Sequence, residues 1–181
     1  MPRNKPHLQL ALYARPKHPG SYHYAFFVAP KNGQAPATKH HVKNTWQVDD
    51  SGGMTQPWRY ENVVVTDIST ELRLLARFVI AKVSASSPDQ VQGILESVPV
   101  DNAELGAREF SCRTWIRDAF EELRRHGAIT TGKLESWEDV QREALEYLEK
   151  KRRQGRWESS WKGVGGDIPL MDLIGGREVV E

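Results

Sequence analysis

The alternation of apolar and polar residues in the first half of the chain predicts β-strands. Residues 8–14 and 22–29 are short apolar and aromatic runs, and Pro16, Pro19 and Gly20 between them are typical of a loop. We therefore predict two strands near the centre of a sheet. Further strands are predicted at 38–48, which can form a hairpin with the second strand, at 58–68, and at 74–83, whose first half also fits a helix. Residues 49–57 are predicted to be a flexible loop.

The second half of the chain has the period of amphipathic helices. One short helix is predicted after Ser87, with Pro88 at its first position. A second is predicted after Ser111, because apolar residues recur there at spacings of three and four as far as Gly127. A third follows Ser136 and ends in basic residues, which suit the negative end of a helix.

These elements predict one α+β domain over residues 1–181. Residues 1–85 are expected to be mainly β, residues 86–155 mainly helical, and residues 156–181 a tail that packs on the domain as a final strand or strap. The expected architecture is an antiparallel sheet with two to three helices packed on it. The chain has 181 residues, of which 39% are hydrophobic and 27% charged, and this suits a single core.

Charge and cysteine content narrow the possible partners and compartment. Lys and Arg number 25 against 24 Asp and Glu, so no overall field would attract nucleic acid or an anionic membrane. The single cysteine, Cys112, cannot form an intramolecular disulfide, and the N-terminus lacks a secretory apolar segment. No window approaches the length of a membrane span. We expect a cytoplasmic protein.

Cys112 lies at the start of the second predicted helix. A helix N-terminus stabilises a thiolate and lowers the cysteine pKa from about 8.5, but a working nucleophile also needs a base and a group that orients the base. His23 lies in the second predicted strand, while His40 and His41 are adjacent in the third and must point to opposite faces. Periodicity does not decide which of the two shares a face with His23. The alternative is that Cys112 is a buried core residue that begins an apolar stripe.

The segments HYAFFV, HHV and FSCRTWI occur in that order along the chain. This layout resembles the circularly permuted papain-like cysteine enzymes, which include NlpC-type peptidases and lecithin:retinol acyltransferase-like proteins. The resemblance implies a permuted papain-like fold order, with Cys112 as nucleophile, His23 as base and His41 as the orienting third residue. The acyltransferase-like members usually have Asn before the cysteine, whereas Ser111 stands here. The layout is also similar to that of a family of small fungal proteins, a likeness that implies no function.

The resemblance implies a cysteine-dependent acyl-transfer enzyme that forms a thioester at Cys112. Its substrate would be a small molecule or peptide carrying an acyl group, and it would be a hydrolase or an acyltransferase according to whether water or an amine releases that group. No cofactor motif is present, and no spacing of histidines and cysteines supports a metal site.

A basic segment containing tryptophans suggests a more specific variant. Cations and indole rings that can bind a phosphate backbone and a base are interleaved at Lys150, Lys151, Arg152, Arg153, Arg156, Trp157 and Trp161. An enzyme that uses aminoacyl-tRNA, such as a cyclodipeptide-type synthase with the same nucleophile, would fit this pattern. The alternative is a solvated helix end whose tryptophans anchor the tail.

A competing hypothesis is a catalytically silent interaction module on the same fold. Its binding surface would contain Trp46, Trp58, Trp157 and Trp161. A thiol of ordinary acidity with no imidazole within hydrogen-bond distance would favour this hypothesis over the enzyme.

Overall fold

The computed structural model describes residues 4–100, 109–158 and 167–181. The described strands are β1 (His7–Ala14), β2 (Tyr22–Ala29), β3 (Ala37–Lys43), β4 (Gln47–Val48), β5 (Met54–Thr55), β6 (Arg59–Val65), β7 (Leu74–Val83), β8 (Ile129–Thr130), β9 (Leu170–Asp172) and β10 (Arg177–Val180). The described helices are α1 (Pro88–Ser97), α2 (Cys112–Arg125) and α3 (Trp137–Arg153), and a 3-10 turn covers Ile68–Thr70.

The main sheet has the strand order β10-β9-β7-β1-β2-β3-β6, and β8 pairs with β7. The pairs β1–β2, β2–β3, β3–β6 and β1–β7 are antiparallel, whereas β9 runs parallel to β7. The predicted α+β class is confirmed, with a mostly antiparallel sheet and helices from the second half of the chain. The prediction that β1 and β2 lie near the centre is also confirmed.

The third predicted strand is divided in the structure. Its pairing with β2 is confirmed, but β3 ends at Lys43, and the following residues form a separate hairpin in which β4 pairs with β5. The predicted loop 49–57 therefore contains a short strand. The segment 74–83, which also fitted a helix, is strand throughout, because it pairs with β1 on one side and β9 on the other. The predicted tail, residues 156–181, contributes β9 and β10.

Local capping explains where the helices begin. Ser87, Ser111 and Ser136 each accept a hydrogen bond from the backbone N–H three residues later, as predicted for N-cap residues. At α2 the side chain of Thr114 also accepts from the backbone N–H of Ser111, which completes a capping box. Gly127, with φ of 64°, follows the end of α2. None of the described helices is long and apolar enough to cross a membrane.

Both faces of the central strands are buried. The larger core lies between the sheet and the helices, and its fully buried side chains include Leu8, Leu10, Leu12, Phe26, Phe78, Trp115, Ile116, Phe120 and Leu123. The smaller core lies on the other face and contains Ala11, Tyr13, Ala25, Phe27, Ala29, Ala37, Val65, Ile68 and Leu74. Alternate residues of β2 thus enter different cores, and this division decides where the candidate site residues point.

A buried arginine crosses the smaller-core face. Arg77 is 6% exposed, and its Nη1 donates to Gln9 Oε1 at 3.0 Å and to the Gly33 carbonyl at 2.6 Å. Burial lowers the pKa of Arg77 to about 10, so the guanidinium stays charged at neutral pH. Gly33 has a φ of 73°, and a side chain there would collide with Leu170. These contacts hold the loop between β2 and β3 on the sheet.

Candidate functional site

Cys112 occupies a gap where two strands separate. Pairing between β2 and β3 covers only residues 26–28, so the stretch from Tyr22 to Ala25 pairs with β1 alone. The first turn of α2 packs beside this stretch, and the Cys112 thiol donates a weak hydrogen bond to the Tyr22 carbonyl at 4.0 Å. The sulfur therefore lies against strand backbone that β3 leaves without a partner.

The acidity of Cys112 differs from the expectation based on its position in the helix. The residue is 5% exposed and belongs to the larger core. Burial raises the pKa of Cys112, and it outweighs the backbone N–H groups of Tyr24, Arg113 and Cys112 itself, which favour the thiolate. The prediction that the helix start lowers this pKa is thus wrong in direction, because burial destabilises the thiolate by more than the helix terminus stabilises it. The thiol is protonated at neutral pH.

His23 and His41 meet each other, and they do so on the face opposite to Cys112. His23 Nε2 lies 2.9 Å from His41 Nδ1, and the His23 ring also lies against Tyr13, with centroids 5.8 Å apart. His23 alternates with the smaller-core residues of β2, whereas Tyr24 points toward the helices, where its ring lies against Trp137 of α3, and belongs to the larger core with Cys112. Among the described residues no hydrogen bond joins Cys112 to a histidine. The structure therefore brings together the base and the orienting residue that the resemblance implies, but it does not bond Cys112 to either of them.

His40 points to the helical side of the sheet. Its Nδ1 lies 2.7 Å from the Tyr60 hydroxyl, and the two rings stack with centroids 6.2 Å apart. Tyr60 in turn contacts Trp115 of α2. The question that periodicity left open is therefore answered: His41 shares a face with His23, and His40 shares a face with Cys112 but is bound to Tyr60. Burial lowers the pKa of His40 to about 4.

The histidine pair is neutral at physiological pH. Burial, and after it the nearby Lys39, lowers the pKa of His23 to about 4. Burial, His23 and Lys39 lower the pKa of His41 to about 3. Lys39 is held close by, since its Nζ lies 2.7 Å from Glu71 Oε2, which also accepts from the Tyr13 hydroxyl at 2.6 Å. The pair resembles a buried structural contact more than an exposed base.

A cleft runs along the side of the domain where Cys112 lies. One part has a volume of about 520 Å³ and the other about 370 Å³, and the two share Arg15, Gly20 and Ser21 of the β1–β2 turn and Tyr22 at the start of β2. The first part is lined also by Ala14, Pro16, Pro19, Leu75, Arg152, Trp157 and Glu158, and the second by Tyr24, Glu109, Ser111, Cys112, Arg113, Thr114 and Leu145. Cys112 therefore lies in the wall of a cleft that extends to the end of α3.

The cleft combines guanidinium groups with aromatic rings. The lining contains three arginines and two glutamates, so its formal charge is +1; they are Arg15, Arg113, Arg152, Glu109 and Glu158. Arg152 Nη2 donates to the Tyr22 hydroxyl at 2.9 Å, so one cation and one ring are held together. Trp157 adds a second, partly buried ring. Such a surface suits a ligand that has both a negative charge and a flat ring.

The predicted basic segment is divided between structural and cleft positions. Lys151 is buried and bound to Glu178 at 2.6 Å, and buried Arg156 donates to the Asp167 carbonyl at 2.5 Å. Those two residues hold the C-terminal part of the chain, which corrects their predicted role as RNA ligands. Only Arg152 and Trp157 line the cleft, Lys150 and Arg153 lie elsewhere on α3 beside Glu149, and Trp161 lies outside the described residues.

The three described tryptophans of the interaction-module hypothesis have different surroundings. Trp46 is 61% exposed in the hairpin of β4 and β5, Trp58 packs on Phe110 with centroids 5.4 Å apart, and Trp157 lies in the cleft.

Sequence reasoning missed Arg15, because the Pro- and Gly-rich β1–β2 turn indicates a loop without indicating which face of the domain it borders.

Metal ligands do not converge in the described ranges. No group of three or more His, Cys, Asp or Glu side chains within residues 4–100, 109–158 and 167–181 could hold a metal ion.

The fold and cleft define a class: an α+β domain whose helices cover one face of a sheet and leave a cleft at the start of α2. Residues 5–180 match the sequence model of a family of unknown function, DUF6914, and the chain belongs to that family. A search of curated proteins and a search of solved structures each found no match.

Proposed function

We propose that the protein is a catalytically silent binding module whose cleft accepts an anionic ligand that carries a flat ring. The observation that carries this proposal is the convergence of Arg15 and Arg152 with Tyr22 and Trp157 on one cleft. The state of Cys112 favours the same reading, since its pKa is raised and no histidine in the described part of the chain is bonded to it.

The size and chemistry of the cleft suggest a mononucleotide or a similar compound. Its larger part, of about 520 Å³, is within the range of small-molecule sites. Arginine binds a phosphate with paired N–H donors, and an indole ring stacks on a base without regard to sequence. Because the formal charge of the lining is only +1, we expect modest affinity that falls as salt is raised.

Calorimetric titration with adenosine 5′-monophosphate tests the proposal. We expect the affinity to fall about tenfold or more in Arg152→Met and in Trp157→Leu. The first variant removes a cation that binds the phosphate, and the second removes the ring that stacks on the base. Arg153→Met is the matched control, since Arg153 is an exposed cation one residue further along α3 that does not line the cleft. Adenosine and inorganic phosphate should each bind more weakly than the nucleotide.

Two results would contradict this function. One is the absence of nucleotide binding by the unmodified protein. The other is a loss of binding in Arg153→Met as large as that in Arg152→Met, which would indicate non-specific attraction to the surface of α3.

Cysteine-dependent acyl transfer is the second candidate, and one observation favours it. Cys112 lines the cleft, and backbone N–H groups of Tyr24 and Arg113 face its sulfur, where they would also favour negative charge on a bound acyl group. In this reaction the sulfur would attack the acyl carbon of an ester or amide, the bond to the donor's alcohol or amine would break, and that leaving group would take the thiol proton. Water or an amine would then attack the thioester carbon, receive the acyl group and release the free thiol. The order His23, His41, Cys112 suggests a relationship to permuted papain-like enzymes, and in the more specific variant an aminoacyl-tRNA is the acyl donor.

The pH dependence of iodoacetamide alkylation at Cys112 separates the two candidates. If the protein is a binding module, alkylation should be slow, with an apparent pKa above the ordinary value of about 8.5, because burial raises the pKa of the thiol. His23→Ala should have no effect, because His23 lies on the other face of the sheet. Acyl transfer predicts fast alkylation with an apparent pKa well below that value. In that case esters, amides and aminoacyl-tRNAs should be screened as substrates.

A further inference from the structure

A short hairpin arm, residues 44–57, projects between β3 and β6. Its strands pair Gln47 with Thr55 and Val48 with Met54. Because directly opposite residues share a face and side chains alternate along a strand, Val48, Met54 and Trp46 lie on one face of the arm. These three side chains are 68%, 60% and 61% exposed, respectively.

The arm is ordered in spite of this exposure. The Asp49 carboxylate accepts hydrogen bonds from the backbone N–H groups of Ser51 and Gly53 and so closes the turn. At the base, Arg59 donates to the carbonyl and the hydroxyl of Thr45, the latter at 2.6 Å. An isolated two-stranded hairpin with an exposed apolar face is only marginally stable in water. The exposed apolar face of the arm therefore indicates a surface that another molecule covers in the functional state.

The charges along the arm indicate what covers it. Asp49 and Asp50 make the tip acidic, whereas Lys43 and Arg59 lie at the base, where Glu61 pairs with Lys43. The order from base to tip is therefore basic, apolar and acidic. A second arm that runs in the opposite direction places its acidic tip beside the basic end of the first, with the apolar faces between them.

We propose that two copies of this chain associate arm against arm across a two-fold axis. The apolar faces of Trp46, Val48 and Met54 meet, and the Asp50 tip of each copy lies near the Lys43 end of the other. In such an isologous contact, both copies use the same surface patch. Since three side chains per copy bury far less than the roughly 800 Å² per partner of a standard interface, the dimer is weak and depends on protein concentration.

Sedimentation velocity over a range of protein concentrations tests this association. We expect the unmodified protein to shift from monomer to dimer as the concentration rises, and the double variant Trp46→Ser with Val48→Ser to stay monomeric. Leu72→Ser is the matched control, because Leu72 is an apolar side chain with 86% exposure outside the arm, and this variant should dimerise normally. Far-UV circular dichroism checks that each variant remains folded.

Charge reversal tests the orientation of the arms. Asp50→Lys should weaken the dimer at least several-fold, because the tip then repels the partner's base, and adding Lys43→Glu in the same chain should restore it. An unmodified protein that stays monomeric at every concentration overturns the proposal. Dimerisation that persists in the Trp46→Ser and Val48→Ser double variant also overturns it, since another surface must then be responsible.

Discussion

Acid is expected to destabilise the fold through three buried histidines. His23, His40 and His41 are neutral in the folded protein, with pKa values lowered to about 4, 4 and 3. In the unfolded chain the same groups titrate near pH 6.5, so the unfolded state binds more protons as the pH falls below that value. The stability linked to these groups is complete above pH 6.5 and is lost as the pH falls toward the folded pKa values.

The size of the effect follows from proton linkage. Each histidine that is neutral when folded and charged when unfolded reduces the free energy of unfolding by about 1.4 kcal/mol per pH unit. Between pH 7 and pH 5 this amounts to about 2 kcal/mol for each group, or about 6 kcal/mol for the three together. Since small domains are stable by about 5–15 kcal/mol, this loss is a large fraction of the total free energy of unfolding.

Urea unfolding at several pH values between 7 and 5, followed by far-UV circular dichroism, measures this slope. His40→Gln, which removes one titrating group, should reduce the slope by about 1.4 kcal/mol per pH unit. Val42→Ala is the control, because Val42 is a fully buried neighbour in β3 that does not titrate, and its loss should lower stability equally at every pH. A free energy of unfolding that stays constant between pH 7 and 5, or a slope unchanged in His40→Gln, would refute the reasoning.

Three further predictions concern packing, an anchored strand and a strained residue. Trp115 has no exposed surface, so Trp115→Ala should cost about 3–5 kcal/mol in urea unfolding. Trp115→Phe should cost clearly less, because the buried indole N–H has no hydrogen-bond partner among the described residues and its removal carries no penalty; equal losses would contradict this. Lys151→Met should speed amide hydrogen exchange in β10, because it removes the contact with Glu178, and unchanged exchange would show that β10 is held otherwise. Arg73 has a φ of 66°, so Arg73→Gly should raise the free energy of unfolding by up to about 1 kcal/mol relative to Arg73→Ala, and a lower value would argue against strain.

Local signals were enough to predict most of the secondary structure. Ser87, Ser111 and Ser136 cap helices because the bond of each to a backbone N–H involves only residues of the same turn. The apolar runs of β1 and β2 likewise predicted central strands. The division of 38–48 into β3 and a hairpin was missed, because its Thr- and Val-rich sequence suits a strand on either side of the break.

The candidate site depended on contacts between distant parts of the chain. Strand alternation correctly separated His23 from Tyr24, but both faces of β2 are buried, so the pattern does not indicate which face the helices cover. The same limit applied to Cys112, because its place at a helix start is a local property whereas its desolvation depends on how α2 packs on β2. Arg15 and Arg152 are far apart in sequence and share a cleft only because the β1–β2 turn and the end of α3 meet.

The amino-acid sequence by itself determined the α+β class, the helix starts and the alternation of side chains in each strand, because these depend on neighbouring residues and on backbone geometry. Only the tertiary structure decided that His23 and His41 face away from Cys112, that the thiol is protonated and that cations and rings share one cleft. Those properties depend on burial and on distances between segments that packing alone brings together.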